Sequence, residues 1–440
     1  MTVSETTVGG SGTAPAGATS DHAPGSGFDP QALQPEPGLK ATLAHWFLSH
    51  IPTVLRLMRR FWPIARVPLI GLTFVTRYDD VQEVLANDRA FPVPFGEKVK
   101  ELNGGPNFVL GMEDGPDYWR IQKAVMQVFR REDIAAIVTP MAARQATAIV
   151  AAAGGRLDAI EGLITRVPTL ICEDYYGITL QPEQRVPFSQ WTFAMSMYMF
   201  ADPFNDPKLR APAVAGAAGV RTVIDASIAA AKRVPPAGDT VLARMLRTGS
   251  QAGGGLSDEA IRTYLVGMVA GFVPTNTMAA GNILDIMLDR PEFLERAQAA
   301  ARAGDDDLLE RCLFEASRFK PINPGPFRVC GEDYELAAGT ARATRIRKGE
   351  ILLASTESAM FDKRRVTDPW RFDPDRAATD YMLFGHGLHW CLGVFIARAE
   401  ITQTLKALLL KENLRRAEGE AGKLTHLGSF PQHLVVTYAG

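Results

Sequence analysis

Cysteine is scarce. The 440 residues contain four, Cys172, Cys312, Cys330 and Cys391, too widely spread for the paired spacing of a zinc site or a disulfide framework. That usage fits a reducing compartment. An excess of one charge is also missing: Lys and Arg number 47 against 49 Asp and Glu, for a formal net charge of −2. No global field therefore argues for nucleic acid or anionic lipid as a partner. No uninterrupted apolar run approaches the ~18 residues needed to cross a bilayer, so the expectation is a cytoplasmic chain with no transmembrane anchor. Residues 1 to 27 are rich in Gly, Ala, Ser and Thr and lack a charged start followed by an apolar core. They read as a disordered tail rather than a signal peptide. Internal repeats and dinucleotide or flavin motifs are absent too, so any electrons must come from another protein.

What is present is the composition of an ordinary globule with ample core, 46% hydrophobic and 22% charged. Length alone would suggest two or three domains. From His45 to Trp62, Trp46, Phe47, Leu55, Met58, Phe61 and Trp62 alternate with Arg56, Arg59 and Arg60. A helix lying on a membrane surface has this pattern, but Pro52 interrupts it, and an amphipathic first helix packed on the body is the expectation. Leu72 to Thr76 reads as a strand, Asp79 to Ala86 as a helix, and Tyr118 to Phe129 and Pro140 to Ala153 as helices. Gly104-Gly105-Pro106-Asn107 breaks the periodicity and predicts a mobile loop suited to a gate. Trp191 to Phe200 gathers Trp, Phe, Met and Tyr, which suits either core or the roof of an apolar pocket.

Leu256 to Leu288 predicts one long helix, entered through Ser257-Asp258-Glu259, whose acids suit a first turn. Pro274 sits in its middle. It deletes the amide that would bond the carbonyl of Ala270, so a local opening or kink is expected. Leu308 to Phe319 is helical as well, with Glu315 and Arg318 three apart on one face.

Near the C-terminus, Phe384-Gly385-His386-Gly387-Leu388-His389-Trp390-Cys391-Leu392-Gly393 sets one cysteine in a glycine-punctuated loop that runs into a helical pattern. Sulfur at the start of a helix faces free N–H donors and the positive end of the dipole, which favour the ionised, metal-binding form. Gly385, Gly387 and Gly393 supply positive φ or let a flat ligand approach the backbone.

This decamer resembles the haem-binding loop of the cytochrome P450 family, Phe-x-x-Gly-x-His/Arg-x-Cys-x-Gly, at all its fixed positions. The resemblance implies a mainly α fold, one large helical domain over residues 28–440 with a small β-rich part. Haem b would lie between the central long helix and the Cys-loop helix. By position, Cys391 would be the axial iron ligand, Phe384 would pack beside the thiolate, Gly385 and Gly393 would shape the loop, and His389 would contact a propionate. A thiolate ligand favours O–O cleavage. Glu315 and Arg318 resemble the family's Glu-x-x-Arg pair. In Asp368-Pro369-Trp370-Arg371-Phe372-Asp373-Pro374-Asp375-Arg376, Arg371 stands where the third member of a buried structural triad is expected.

Two segments depart from the family. Above the haem the central helix usually carries Ala/Gly-Gly-x-Asp/Glu-Thr, whose acid and alcohol relay protons. Here Ala270, Gly271 and Phe272 match, but Val273 and Pro274 replace the relay pair. Thr275 lies roughly on the face of Gly271 and is the nearest residual hydroxyl, while Asn276 is rotated away. In the helix that normally carries two propionate ligands, Tyr118 and Gln122 stand at the matching positions. Arg120, Trp119 or Lys123 would substitute after a slip of register, and Arg328 becomes the better cation beside His389.

The expected function is a haem-thiolate monooxygenase acting on an apolar small molecule, with O2 and electrons from a separate ferredoxin and ferredoxin reductase. The altered relay leaves two alternatives open: peroxide-driven or hydroperoxide-transforming chemistry at the same site, and a non-catalytic haem-binding sensor.

Overall fold

The computed structural model describes residues 39–236, 238–249 and 256–440. The expected tail, 1–27, and the expected start of the domain, 28–38, lie outside them. Helices dominate. The central one, Asp258–Asp289, is capped by Ser257, whose side chain accepts the Ala260 amide at 3.1 Å, and carries Asp258 and Glu259 in its first turn. Its ends fall within two residues of the sequence reading. Buried positions occur all around it, as befits a helix that passes through a core rather than along a surface.

Around this axis pack Arg185–Ser196 and Pro207–Arg233 on one side, and Asp306–Phe319 and Val394–Leu409 on the other. Val394–Leu409, which follows Cys391, also packs on Thr139–Ala152. The small β part is a four-stranded sheet in the order Ile64–Val67, Leu72–Val75, Ile351–Ala354, Phe327–Val329. Its middle pair is parallel, Leu72 opposite Ile351, and its other pairs are antiparallel. Thus the strand read at Leu72 is present, with a partner nearly 280 residues away that alternation could not reveal.

The first described helix, Leu39–Phe61, buries Ile51 and Leu55 against the sheet and sends Arg59 to the backbone and hydroxyl of Ser358 at 2.8 and 2.7 Å. From Ile51 onward it is therefore a helix packed on the body, as expected. Two helical stretches, Ile134–Ala152 and Pro207–Arg233, are long and apolar enough by length and composition to cross a bilayer. The reading of uninterrupted runs overlooked them because single polar residues are scattered through both. In the fold the first packs on the Cys391 helix and the second on Arg185–Ser196.

Candidate active site

Cys391 lies between the short turn Gly387–His389 and the helix Val394–Leu409. Gly385 and Gly387 both take left-handed conformations, φ 76° and 74°, and a Cβ on Gly387 would overlap the carbonyl oxygen of Leu85. Glycine is demanded there twice over. The Cys391 amide closes the loop on the Phe384 carbonyl at 3.0 Å, and the Phe384 ring lies 5.7 Å from Phe314 of the Glu315 helix. A Cβ on Gly393 would sit 3.8 Å from the Cys391 sulfur, so the two residues are neighbours around that atom.

Burial pushes the Cys391 thiol up, and the Gly393 amide pulls it back only in part. The expectation that the helix start alone favours the thiolate is corrected on this point. Desolvation outweighs the local donors, and a cation at the sulfur is needed to hold it ionised.

Beside the loop stands an under-partnered polar cluster. Arg328, buried in strand Phe327–Val329, donates from Nη1 to the Phe327 carbonyl at 3.0 Å, while its Nε has no partner among the described residues. Burial lowers its pKa to about 10. His389 is lowered to about 4, first by burial and then by Arg328. Its Nε2 is 3.8 Å from Asp88, beyond a hydrogen bond. The Asp88 carboxyl is itself raised by burial and keeps an unpartnered buried oxygen. A buried guanidinium whose acidic neighbour, Asp88, makes no ion pair with it among the described residues is costly, and an anionic oxygen ligand would repair it.

Tyr118 reaches the same loop, its hydroxyl donating to the Leu388 carbonyl at 2.9 Å. Arg120 does not. It is on the exposed face of helix Pro116–Val128, paired with Asp117 at 2.9 Å, so its placement among cofactor ligands is corrected: two residues along a helix turn the side chain to the opposite face. Trp119 is likewise outward, bonded to Asp114 at 2.6 Å, and Lys123 is exposed.

The structural triad forms, with one member changed. Arg318 grips Glu315 through two nitrogens, at 3.0 and 2.6 Å, and both side chains are wholly buried. Arg318 also donates to the carbonyls of Pro369 at 2.6 Å, Met360 at 3.3 Å and Arg371 at 3.4 Å. The third guanidinium is Arg376, 3.4 Å from Glu315 with its side chain 2% exposed. Arg371 points outward, 67% exposed, and pairs with Asp373 at 2.7 Å; its assignment to the triad is corrected. Each arginine closes a turn, Asp368 to Arg371 and Asp373 to Arg376, and only the second aims its side chain inward. Arg376 stood in the same nonapeptide, so the signal was present and the register was not.

On the central helix Ala270, Val273 and Pro274 are buried. A Cβ on Gly271 would meet nothing within 4 Å, so the helix borders open space there. The helix continues through Pro274 without a break, which corrects the expected opening. The Ala270 carbonyl loses its helical donor, while side chains add bonds on either side of the proline: Thr275 donates its hydroxyl to the Gly271 carbonyl, and Thr277 donates to the Val273 carbonyl at 2.9 Å. Asn276 bonds Glu400 of the Cys391 helix at 2.7 Å, a link that sequence reasoning missed.

The aromatic stretch is mostly core. Trp191 packs on Gly216 and Gly219, where a Cβ would come within 3.0 and 2.9 Å of it, and Phe193 stacks on Phe430 at 5.1 Å. The segment beyond, Met197–Ala201, is pinned by Lys98, whose buried ammonium meets the Tyr198 carbonyl at 3.0 Å and the Asp202 carboxylate at 2.7 Å. Asn107, in the expected gate, donates to the Gly111 carbonyl at 2.9 Å, and Arg221 holds the Leu102 carbonyl. That loop is anchored at both ends.

A sulfur at a helix start, an unsatisfied guanidinium beside a neutral imidazole, and open space at Gly271 together fit an iron porphyrin. Cys391 would ligate the metal, and Arg328 and His389 would meet the propionates. The comparisons agree. A family model described as Cytochrome P450 matches residues 54–425. The mycinamicin IV hydroxylase/epoxidase of Micromonospora griseorubida is 29% identical over 359 residues, 79% of this chain and 84% of the relative. Cytochrome P450 monooxygenase PikC of Streptomyces venezuelae is 29% identical over 344 residues, 76% of each. Among solved structures, open cytochrome P450 EryK from S. erythraea superposes with TM-score 0.72 at 25% identity, covering 89% of this chain and 96% of its own. CalO2 gives TM-score 0.74 at 20% identity over 90% and 98%, a likeness of fold.

Proposed function

The chain belongs to the cytochrome P450 family, a P450-type oxidoreductase, and from that premise we propose that it is a haem-thiolate monooxygenase for an apolar small molecule. The observation that carries this reading is Cys391 in a backbone-dictated loop beside Arg328, whose buried Nε lacks a partner among the described residues. When bound, haem b would supply the oxygen-activating redox chemistry, with the Cys391 thiolate favouring O–O cleavage. The protein's own residues do the rest. Arg328 and His389 would hold propionate oxygens, and an anion there would also raise the His389 pKa from its lowered value. Gly271 leaves room beside the central helix. Val273 and Pro274 offer only hydrocarbon, and the Thr275 proton is committed to Gly271, leaving its oxygen as an acceptor that can orient water. Proton delivery then falls to water rather than to a fixed acid.

Electrons would come from a ferredoxin and its reductase, since the sequence carries no flavin or dinucleotide motif. Relatives are named for mycinamicin IV and erythromycin, which supports a bulky apolar substrate class. The test is the carbon monoxide difference spectrum of haem-loaded protein. A band at the position of thiolate-ligated ferrous haem is expected, and its absence would defeat the reading. Soret shifts over macrolactones, fatty acids, terpenes, steroids and aromatics then identify the substrate.

A second reading, peroxide-driven turnover, is favoured by one observation: neither relay group is present and the nearest hydroxyl donates to its own backbone. An oxidant whose O–O bond is already made needs less from this helix. Faster product formation with reduced ferredoxin and O2 than with hydrogen peroxide or a lipid hydroperoxide removes it.

A further inference from the structure

We propose that Asn276 and Glu400 are positioning residues: a buried hydrogen bond from the Cys391 helix holds the turn after Pro274 in place and takes over the restraint lost with the Pro274 amide. This rests on the reading of the site as a haem pocket.

The turn needs such a restraint. Pro274 cannot bond the Ala270 carbonyl, and the carbonyls of Gly271 and Val273 are served by the hydroxyls of Thr275 and Thr277. Those two bonds stay inside the helix and would travel with it. Thr277 also approaches Thr165 at 3.4 Å, a long and weak contact. Asn276 differs. Its Nδ2 crosses to Glu400 Oε2 at 2.7 Å, 124 residues along the chain, and so references the turn to the helix whose start carries Cys391.

Glu400 is suited to this. It is 1% exposed, its other oxygen accepts the Thr404 hydroxyl at 2.6 Å, and no Lys or Arg pairs with it among the described residues. The titratable group facing it is Cys172 of helix Arg166–Asp174, whose thiol is pushed well up by burial, by Glu173 and by Glu400. An unpaired buried carboxyl is expensive where packing alone is required, since an apolar side chain of similar volume would serve better. Burial raises Glu400 to about 7, against the pull of Thr404 and Asn276. As a carboxylate it accepts both donors; as an acid it must place a proton on one of its two oxygens and compete with a donor. The strut is thus tight above about pH 7 and loosened below.

Carbon monoxide on the reduced, haem-loaded protein is the probe, because its infrared stretch reads the surroundings of the distal pocket. Wild type should show a band whose position shifts with an inflection near pH 7. Glu400→Gln, which like the acid offers one acceptor and one donor group but cannot titrate, should give the low-pH wild-type band at every pH with the inflection lost. Asn276→Ala should give a broadened, displaced band throughout, also without inflection. An inflection that persists in Glu400→Gln, or an Asn276→Ala band identical to wild type at every pH, overturns the proposal. If Glu400→Gln fails to fold, Asn276→Ala decides alone, because it strands no new charge. Protein that gives no thiolate-type band at all defeats the haem reading instead, so the two failures are told apart.

Discussion

The two sides of the pocket are held by different means. On the Cys391 side the backbone dictates the residues: Gly387 has no room for a Cβ, the Cys391 amide closes on Phe384, and Arg318 and Arg376 clamp the preceding loop through buried bonds. On the side of Gly271 to Thr277 the backbone is one bond short at Ala270, and the turn is tied instead by side-chain bonds of Thr275, Asn276 and Thr277. A site can tolerate the loss of familiar groups where shape is set by replaceable side-chain bonds, and not where it is set by φ angles and a single sulfur.

The largest contrast is between single atoms. Cys391→Ala should abolish the thiolate-type carbon monoxide band, whereas no single substitution from Val273 to Thr277 should remove it. A band surviving in Cys391→Ala would erase the distinction.

The loop before Cys391 offers a contrast within a few residues. Arg376→Ala strands part of a buried network around Glu315, which also accepts the Asp373 amide at 3.1 Å and the Tyr381 hydroxyl at 2.8 Å. A loss of about 3 to 5 kcal/mol in chemical denaturation is expected, as for breaking other buried pairs. Arg371→Ala removes an exposed partner of Asp373 and should leave the denaturation curve where it was. The reverse order would restore Arg371 to the triad.

These residues also mark how far sequence reasoning reached. The cysteine loop was legible because its demands are met within ten residues, as were the helix entry at Ser257-Asp258-Glu259 and the spacing of Glu315 and Arg318. The sequence points to Arg371 rather than to Arg376, because which turn aims inward depends on bonds such as Arg318 to Pro369, between segments far apart in the chain. Arg120 failed for the same reason one level down, since helical periodicity gives faces but not which face meets the loop. The partner of Asn276 was illegible outright: its direction could be read, Glu400 could not.

Two buried carboxyls permit a graded test across pH. Glu357, near the first helix, and Glu400, between the two sides, are each raised from 4.5 to about 7 by burial. Each is neutral when folded and ionised when unfolded between those values, so its contribution is fully present below pH 4.5 and is lost as pH rises toward 7. The slope follows proton linkage, up to about 3 kcal/mol for each group. Denaturant melts at pH 5 and pH 8 should show Glu400→Gln and Glu357→Gln gaining most at pH 8. Only Glu400→Gln should also alter the carbon monoxide band, because Glu357 has no bond to the central helix among the described residues. Equal spectral effects would detach that band from the strut.

The smallest expected effect concerns Thr275, and its smallness is informative. A side chain that delivers a proton in the rate-limiting step contributes about 100-fold or more. Thr275 donates to the Gly271 carbonyl, four residues back in its own helix, a bond that competes with any bond into the pocket. Thr275→Val keeps the shape and deletes the hydroxyl, so turnover with O2 and reduced ferredoxin should fall by much less than about 100-fold. Coupling of electrons to product should stay near the wild-type value. A drop of that full size would mean the hydroxyl leaves Gly271 during turnover and serves as the missing relay, and the distal turn would then be as sensitive to one atom as the cysteine loop is.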